Sequence, residues 1–282
     1  MQVIRQLAEI RAKVASLQAQ GKRIALVPTM GFLHDGHLSL LREARGRADI
    51  LVMSLFVNPT QFAPGEDLDL YPRDEEGDLA KAKSCGVDIV FCPDASDLYP
   101  DNFQTSISLE KLAAPMCGES RPIHFAGVAT VVTKLFNLCQ PQVAVFGQKD
   151  AQQLAILKQL VVDLNFDIEI VGCPIIREED GLAMSSRNVR LSPSERKQAR
   201  SLSRGLFGAK ERFGSGVRDA KDLVSAARAV IAASPLAKID YIEIRDAKTL
   251  AEVSTIDSPA LMAVAVRFGQ TRLIDNITLH TD

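Results

Sequence analysis

Short apolar runs rich in β-branched residues alternate with amphipathic stretches through the first 175 residues of the chain. RIALVPT (23–29), DILVMSLFV (49–57), DIVFCP (88–93), VAVFG (143–147) and DIEIVGCPII (167–176) are continuous enough to be buried strands. Between them the period lengthens to that of helices opening near Gly36, Asp74, Ala126 and Asp150. Strands that alternate with helices need crossovers, so the pattern predicts an α/β fold: a doubly wound parallel sheet covered on both faces. Ligands of such sheets sit at the carboxyl ends of strands, and the loops just after strands are where chemistry is expected.

Before the first strand, Ile4, Leu7, Val14 and Leu17 fall at helical spacing among charges at Arg5, Glu9, Arg11 and Lys13. This predicts an amphipathic surface helix, because a signal peptide needs an unbroken apolar stretch. After residue 176 the pattern changes. REEDGLAMSSRN (177–188) is polar, 192–213 and 219–233 predict two helices, and KIDYIEIRDA, ALMAVAVRF and TRLIDNITL predict strands. The expectation is a larger domain over 1–175 and a smaller C-terminal α+β domain over 176–282.

Composition narrows the partners. The 282 residues carry 33 Lys+Arg against 35 Asp+Glu, a net charge of −2, which offers no broad electrostatic footprint for nucleic acid or an anionic membrane. The longest apolar run, residues 50–57, is far short of the roughly 20 residues of a membrane span. Cys85, Cys92, Cys117, Cys139 and Cys173 are odd in number and lack ligand spacing, so they are expected to be buried thiols of a soluble, cytoplasmic protein. Any polyanionic ligand must then be small and locally held.

The strongest motif is VPTMGFLHDGHLSLLREA (27–44), where a strand ends at Thr29 and a helix opens around Gly36. His37 extends the inward stripe of Leu41, Ala44 and Ala48, and His34 lies three residues earlier. Both therefore point toward a helix N-terminus that favours anions, and Gly36 would let a base or ribose approach. Neither a P-loop nor G-x-G-x-x-G occurs, so phosphate would rest on histidine and the helix terminus. A histidine at a helix start is also an ordinary cap.

FGQKDAQQLAILKQLVVDLN (146–165) repeats the theme. Gly147 ends a strand, Lys149 is the better phosphate candidate, and Asp150 reads as an N-cap or a ligand. Gln153 continues the apolar stripe of Leu157, Leu160 and Leu164, placing an amide at the ligand end of the sheet. In SLFVNPTQF (54–62), Asn58 and Pro59 mark a turn and Gln61 is a partner for Gln153. Ser185, Ser186 and Arg187 lie on the polar linker, where a guanidinium could close over phosphates. Arg121 and His124 in SRPIHFAG suit a substrate loop or a surface loop equally. DEEGD (74–78) reads as a solvated helix head, with Asp78 a lesser candidate for contacting a nucleotide-bound metal. G-x-S-x-G is absent, which argues against an acyl-enzyme.

PTMGFLHDGHLSL, FVNPTQF, YPRD, SRPIHFAGVATVV, FGQKDAQQL and DGLAMSSRN together resemble the pantothenate synthetases (pantoate–β-alanine ligases) of the H-x-G-H nucleotidyltransferase superfamily, over residues 23 to 195. The resemblance implies a Rossmann-like sheet whose smaller C-terminal domain acts as a lid. It implies ATP-dependent condensation of (R)-pantoate with β-alanine through pantoyl adenylate, with Mg²⁺ accompanying ATP, in a cytoplasmic homodimer. The catalytic residues would be His37, His34, Lys149 and Arg187. Met30, Gly31, Phe32, Leu33, His34, Asp35, Gly36, His37, Gly147, Gln148, Lys149, Asp150, Ile176, Met184, Ser185, Ser186 and Arg187 would surround ATP. Gln61 and Gln153 would grip pantoate under Met30. Gly77 and Lys81 beside Asp78 do not form a clean acidic metal position, and the metal ligands stay open. The rivals are another H-x-G-H nucleotidyltransferase, including one that charges tRNA, and a non-enzymatic nucleotide-binding protein.

Overall fold

The computed structural model describes residues 1–280. Five strands form where the apolar runs require them: β2 (Ile24–Thr29), β3 (Ile50–Leu55), β4 (Ile89–Phe91), β5 (Val143–Gly147) and β6 (Glu169–Cys173). A sixth, β1 (Gln2–Ile4), precedes helix α1 (Leu7–Ala19) and pairs with β4. Ile4 thus belongs to a strand and not to the expected N-terminal helix, which begins only after Gln6. Three residues are too few to show a period, and the pairing that makes them a strand lies far away in sequence.

The sheet is parallel throughout, in the order β1-β4-β3-β2-β5-β6. The chain winds outward from β2 in one direction and restarts at β5 in the other. The crevice between the carboxyl ends of β2 and β5 is therefore the topological switch point, where open α/β sheets bind ligands.

Alternate residues of each strand serve opposite faces. Ile24, Leu26, Ala144 and Phe146 pack under α1, α7 (His124–Cys139) and α8 (Ala151–Asp163). Ala25, Val27, Val143 and Val145 pack under α2 (Asp35–Arg45) and α3 (Glu75–Ser84). Three single-turn helices, α4 (Ala95–Leu98), α5 (Glu110–Ala113) and α6 (Cys117–Ser120), fill the long β4 to α7 connection. β6 departs from the expected buried strand, because it is the sheet's edge and Glu169 faces solvent. Leu164 likewise leaves the α8 stripe: it caps the helix and is 45% exposed, whereas Leu157 and Leu160 are buried.

Beyond β6 the expected helix over 192–213 is two helices, α9 (Pro193–Ala199) and α10 (Ser201–Gly214), divided at Arg200. With α11 (Ala220–Ala232) they cover one face of an antiparallel sheet, β7 (Ala237–Asp246), β8 (Ala260–Phe268) and β9 (Thr271–Leu279). The sheet's other face, through Tyr241, Leu261, Ala263 and Ile274, meets Met116, Cys117, Ala151, Ala155 and Ile156. This contact sets β9 against the loop that follows β5. All five cysteines are buried free thiols.

Candidate active site

At the end of β2 the backbone turns through two left-handed residues, Gly31 (φ 85°) and Phe32 (φ 52°). A Cβ on Gly31 would lie 2.7 Å from Leu55 Cδ1 and 2.9 Å from Asp78 Oδ2, so only glycine fits there. Asp78 is buried, and its carboxylate accepts from the N–H groups of Phe32 (2.7 Å) and Leu33 (2.6 Å). Lys81 Nζ donates to the Leu33 carbonyl (2.8 Å) and Ser186 Oγ to that of Phe32 (3.1 Å). The expectation of a solvated DEEGD segment therefore fails at Asp78, which clamps the turn. Burial raises the Asp78 pKa, while the two N–H groups and Lys81 oppose that rise.

The histidines hold each other. His34 N donates to His37 Nδ1 (3.3 Å) and Gly36 N donates to His34 Nδ1 (3.1 Å), a reciprocal capping box made by two imidazoles. Both Nδ1 atoms are acceptors, which puts each neutral ring's proton on Nε2. This has two consequences. Two N–H groups of the α2 terminus are taken up by the histidines, which leaves each ring's Nε2–H for a ligand in the cavity that both residues line. Glycine at 36 is required by the folded-back ring itself, since a Cβ there would lie 2.8 Å from His34 Cε1.

The rings stand 4.1 Å apart. Burial, then Lys149, lowers the His34 pKa to about 4. Burial, then the neighbouring His34 and Lys149, lowers that of His37 to about 3. Burial, then Arg121, lowers that of His124 to about 4. At neutral pH these groups are neutral hydrogen-bond donors, with no positive charge of their own to offer a phosphate.

Below the ordinary histidine pKa the unfolded chain takes up protons that the fold refuses until about pH 4. The stability they allow is complete above pH 6.5 and is lost as pH falls, by up to about 1.4 kcal/mol per unit for each histidine. Urea midpoints should accordingly drop between pH 7 and pH 5, and drop less in His37→Gln. Equal slopes in the two proteins would contradict the assignment.

Across the switch point a 3₁₀ turn, Gln148–Asp150, follows β5. Lys149 faces the cavity and has no ion-pair partner among the described residues. Asp150 stands at the N-cap position of α8 but makes no side-chain cap, contrary to its reading as a cap. Gln153 lines the cavity, while the adjacent Gln152 is structural, bonded to Cys117 N, Leu112 O and Pro115 O.

The Pro59–Gln61 turn presents Gln61, which donates to Met30 Sδ (3.2 Å) and accepts from Asn58 Nδ2 (3.1 Å). It lies tight on α7, where a Cβ on Gly127 would come within 2.4 Å of Thr60 O. Arg121 and His124 settle on the cavity side. Arg121 is paired with Glu66 (2.6 Å), and both residues contact the Gln61 carbonyl.

From the linker, Arg187 makes two bonds to Asp67 (2.8 and 3.1 Å), beside the ring of Tyr71, and Arg190 shares that carboxylate at 2.7 Å. Burial disfavours the Asp67 anion, yet the hydrogen bonds and charges of the two arginines hold its pKa down to about 2. Asp67, Tyr71 and Arg190 were not expected in the site. Only YPRD signalled the region, and the approach of 67–71 to 187–190 is purely tertiary.

One cavity of about 560 Å³ is bordered by Met30, His34, Gly36, His37, Gln61, Gly147, Lys149, Asp150, Gln153, Met184, Ser185, Ser186 and Arg187. Other expected residues do not line it. Gly31, Phe32 and Leu33 form the clamped turn, Asp35 is exposed, Gln148 is exposed and donates to Gly172 O (3.3 Å), and Ile176 accepts from Met184 N (3.0 Å). No group of three His, Cys, Asp or Glu among the described residues is arranged to hold a metal. Each Asp78 oxygen already accepts a backbone N–H, and no acidic cluster surrounds it among the described residues, so these residues do not fit a protein-ligated Mg²⁺.

Comparison with known proteins agrees along the whole chain. The family described as pantoate-beta-alanine ligase matches residues 2–278. Pantothenate synthetase of Trichlorobacter lovleyi is 54% identical over 279 residues, covering 99% of each chain. The structure of pantothenate synthetase from Thermus thermophilus superposes with a TM-score of 0.95 at 44% identity, covering both chains completely. The pantoate-beta-alanine ligase of Francisella tularensis, solved in complex with "Beta-gamma ATP and Beta-alanine", gives a TM-score of 0.82 at 32% identity, covering 100% of this chain and 99% of that one. The chain belongs to the pantoate-beta-alanine ligase family and is a ligase that forms pantothenate.

Proposed function

We propose that the cavity carries the ligation in two steps, with ATP across the β2–β5 crevice and pantoate between Gln61 and Gln153. In the first, a pantoate carboxylate oxygen attacks the α-phosphorus of ATP and pyrophosphate leaves. In the second, the β-alanine amine attacks the acyl carbon, AMP leaves, and the amine's proton passes to solvent. The observation that carries this reading is the convergence on one cavity of an unpaired lysine, two Nε2–H donors and two neutral amides.

Attack of one anion on another requires charge neutralisation and alignment. Lys149 supplies the charge, and His37 with His34 supplies donors that need no proton uptake at neutral pH. Gly147 has open space where a Cβ would stand, which suits close approach of a nucleotide. Met184, Ser185, Ser186 and Arg187 would cover the triphosphate, Arg187 exchanging Asp67 for phosphate. Mg²⁺ would enter as the counter-ion of ATP. Residues 1–175 would bind ATP and pantoate, with 176–282 as the lid. The reading also includes a cytoplasmic homodimer. No helix among the described residues is long and apolar enough to cross a membrane.

Pantoate-dependent release of pyrophosphate from ATP without β-alanine, followed by AMP release once β-alanine is added, tests the sequence of steps. Release of AMP and pyrophosphate only when all three substrates are present would rule it out. Gln153→Ala should lower kcat/KM for pantoate by about 10²-fold while changing the KM for ATP little, since a site built on polar groups loses far more than packing when one is removed. An equal rise in both KM values would remove Gln153 from the pantoate site.

A further inference from the structure

Asn276 is a buried amide in the middle of β9, the edge strand of the C-terminal sheet. Asparagine is a poor strand residue, and a buried amide is costly unless bonded. The Asn276 side chain bonds outside its own sheet. Its Nδ2 lies 3.0 Å from the carbonyl oxygen of Gln148 and 2.8 Å from that of Lys149. Both neighbours are acceptors, so the side-chain nitrogen and not its oxygen must face them.

These carbonyls belong to the two peptide planes that flank the Lys149 Cα. Each plane is rigid, so fixing both fixes the direction in which the Lys149 Cα–Cβ bond leaves the backbone. Asn276 is itself held. Its N–H donates to Asp275 Oδ1 (2.8 Å), and Asp275 is gripped by Arg177 through two bonds of 2.6 and 2.9 Å. A continuous set of contacts thus runs from the linker after β6, through β9, to the turn carrying the unpaired lysine.

We propose that Asn276 is a positioning residue for Lys149, so that the C-terminal sheet sets the aim of the phosphate-binding cation of the first step. The inference rests on the reading of Lys149 given above. Asn276 touches no substrate in this scheme, and its effect must pass through Lys149.

The test is a double-mutant cycle on single-turnover, pantoate-dependent pyrophosphate release, with thermal melts of every protein. Asn276→Ala, and the isosteric Asn276→Asp that lacks the donor, should each slow this step about 10- to 100-fold, the range expected when a reacting group is displaced by a fraction of an ångström to 1 Å. The pantoate KM should stay within about threefold. Combined with Lys149→Ala, the same changes should slow the step less than about twofold further, since residues acting as one unit are not additive.

Equal slowing of the wild type and of Lys149→Ala by Asn276→Ala would overturn the proposal. So would wild-type rates in both Asn276 variants while Lys149→Ala is impaired. Wild-type rates in Lys149→Ala itself would instead remove the role given to the lysine, and this inference with it. Should Asn276→Ala yield no folded protein, Asn276→Ser, which keeps one donor, carries the same comparison.

Discussion

Lys149→Ala should lower pantoate-dependent pyrophosphate release by about a thousandfold, which is about 4 kcal/mol of transition-state stabilisation. The size of the effect follows from what the other cations are doing. Arg121 is paired with Glu66, and Arg187 and Arg190 share Asp67. The histidines beside Lys149 are held neutral by burial and by the lysine itself. Lys149 therefore faces the cavity as a permanent charge that, among the described residues, has no carboxylate to leave before it meets phosphate. The loss should fall on the rate of the first step more than on the KM for ATP, because charge develops on the pyrophosphate as it departs. Rapid-quench measurement with saturating ATP and pantoate checks this, and a rate within tenfold of wild type would refute it. His37→Ala should cost less, about 10²-fold, as expected for one neutral donor.

The sequence exposed the parts of this arrangement that depend on neighbours along the chain. Apolar runs located five strands of the parallel sheet, and their alternation with helices implied that sheet and its ligand-binding edge. His34, His37, Lys149 and Gln153 could be chosen because each stands just after a strand or one turn into the following helix. Relations that span the chain were hidden. Asp78 looked like part of an acidic helix head because nothing in DEEGD reveals that residues 32 and 33 turn their N–H groups toward it. Asn276 looked like an ordinary strand residue, since its partners are the carbonyls of Gln148 and Lys149, more than 120 residues earlier. At Gly36 the need for glycine was legible, but its contact with the folded-back His34 ring was not.

Asp78→Ala should damage both stability and catalysis, because one carboxylate ties the fold to the site. Its removal strands the N–H groups of Phe32 and Leu33 in a buried turn, at a cost of about 1–3 kcal/mol each. Release of Phe32 from its left-handed conformation returns about 1 kcal/mol of strain and offsets part of that cost. A net loss of about 1–5 kcal/mol should lower the Tm by roughly 2–20 °C for a chain of this size. The turn runs directly into the capping box, so His34 and His37 lose their placement, and adenylation should fall at least about 10²-fold even where the variant stays folded. Asp78→Asn retains one acceptor but sets an amide N–H₂ against the second backbone N–H, so it should lose stability too despite matching the aspartate in shape. That variant separates a structural carboxylate from a metal-binding one. A metal ligand would leave the Tm of the ligand-free protein near that of the wild type, and activity would recover as Mg²⁺ is raised. The clamp requires the opposite, a lower Tm without ligand and an activity that added Mg²⁺ does not restore.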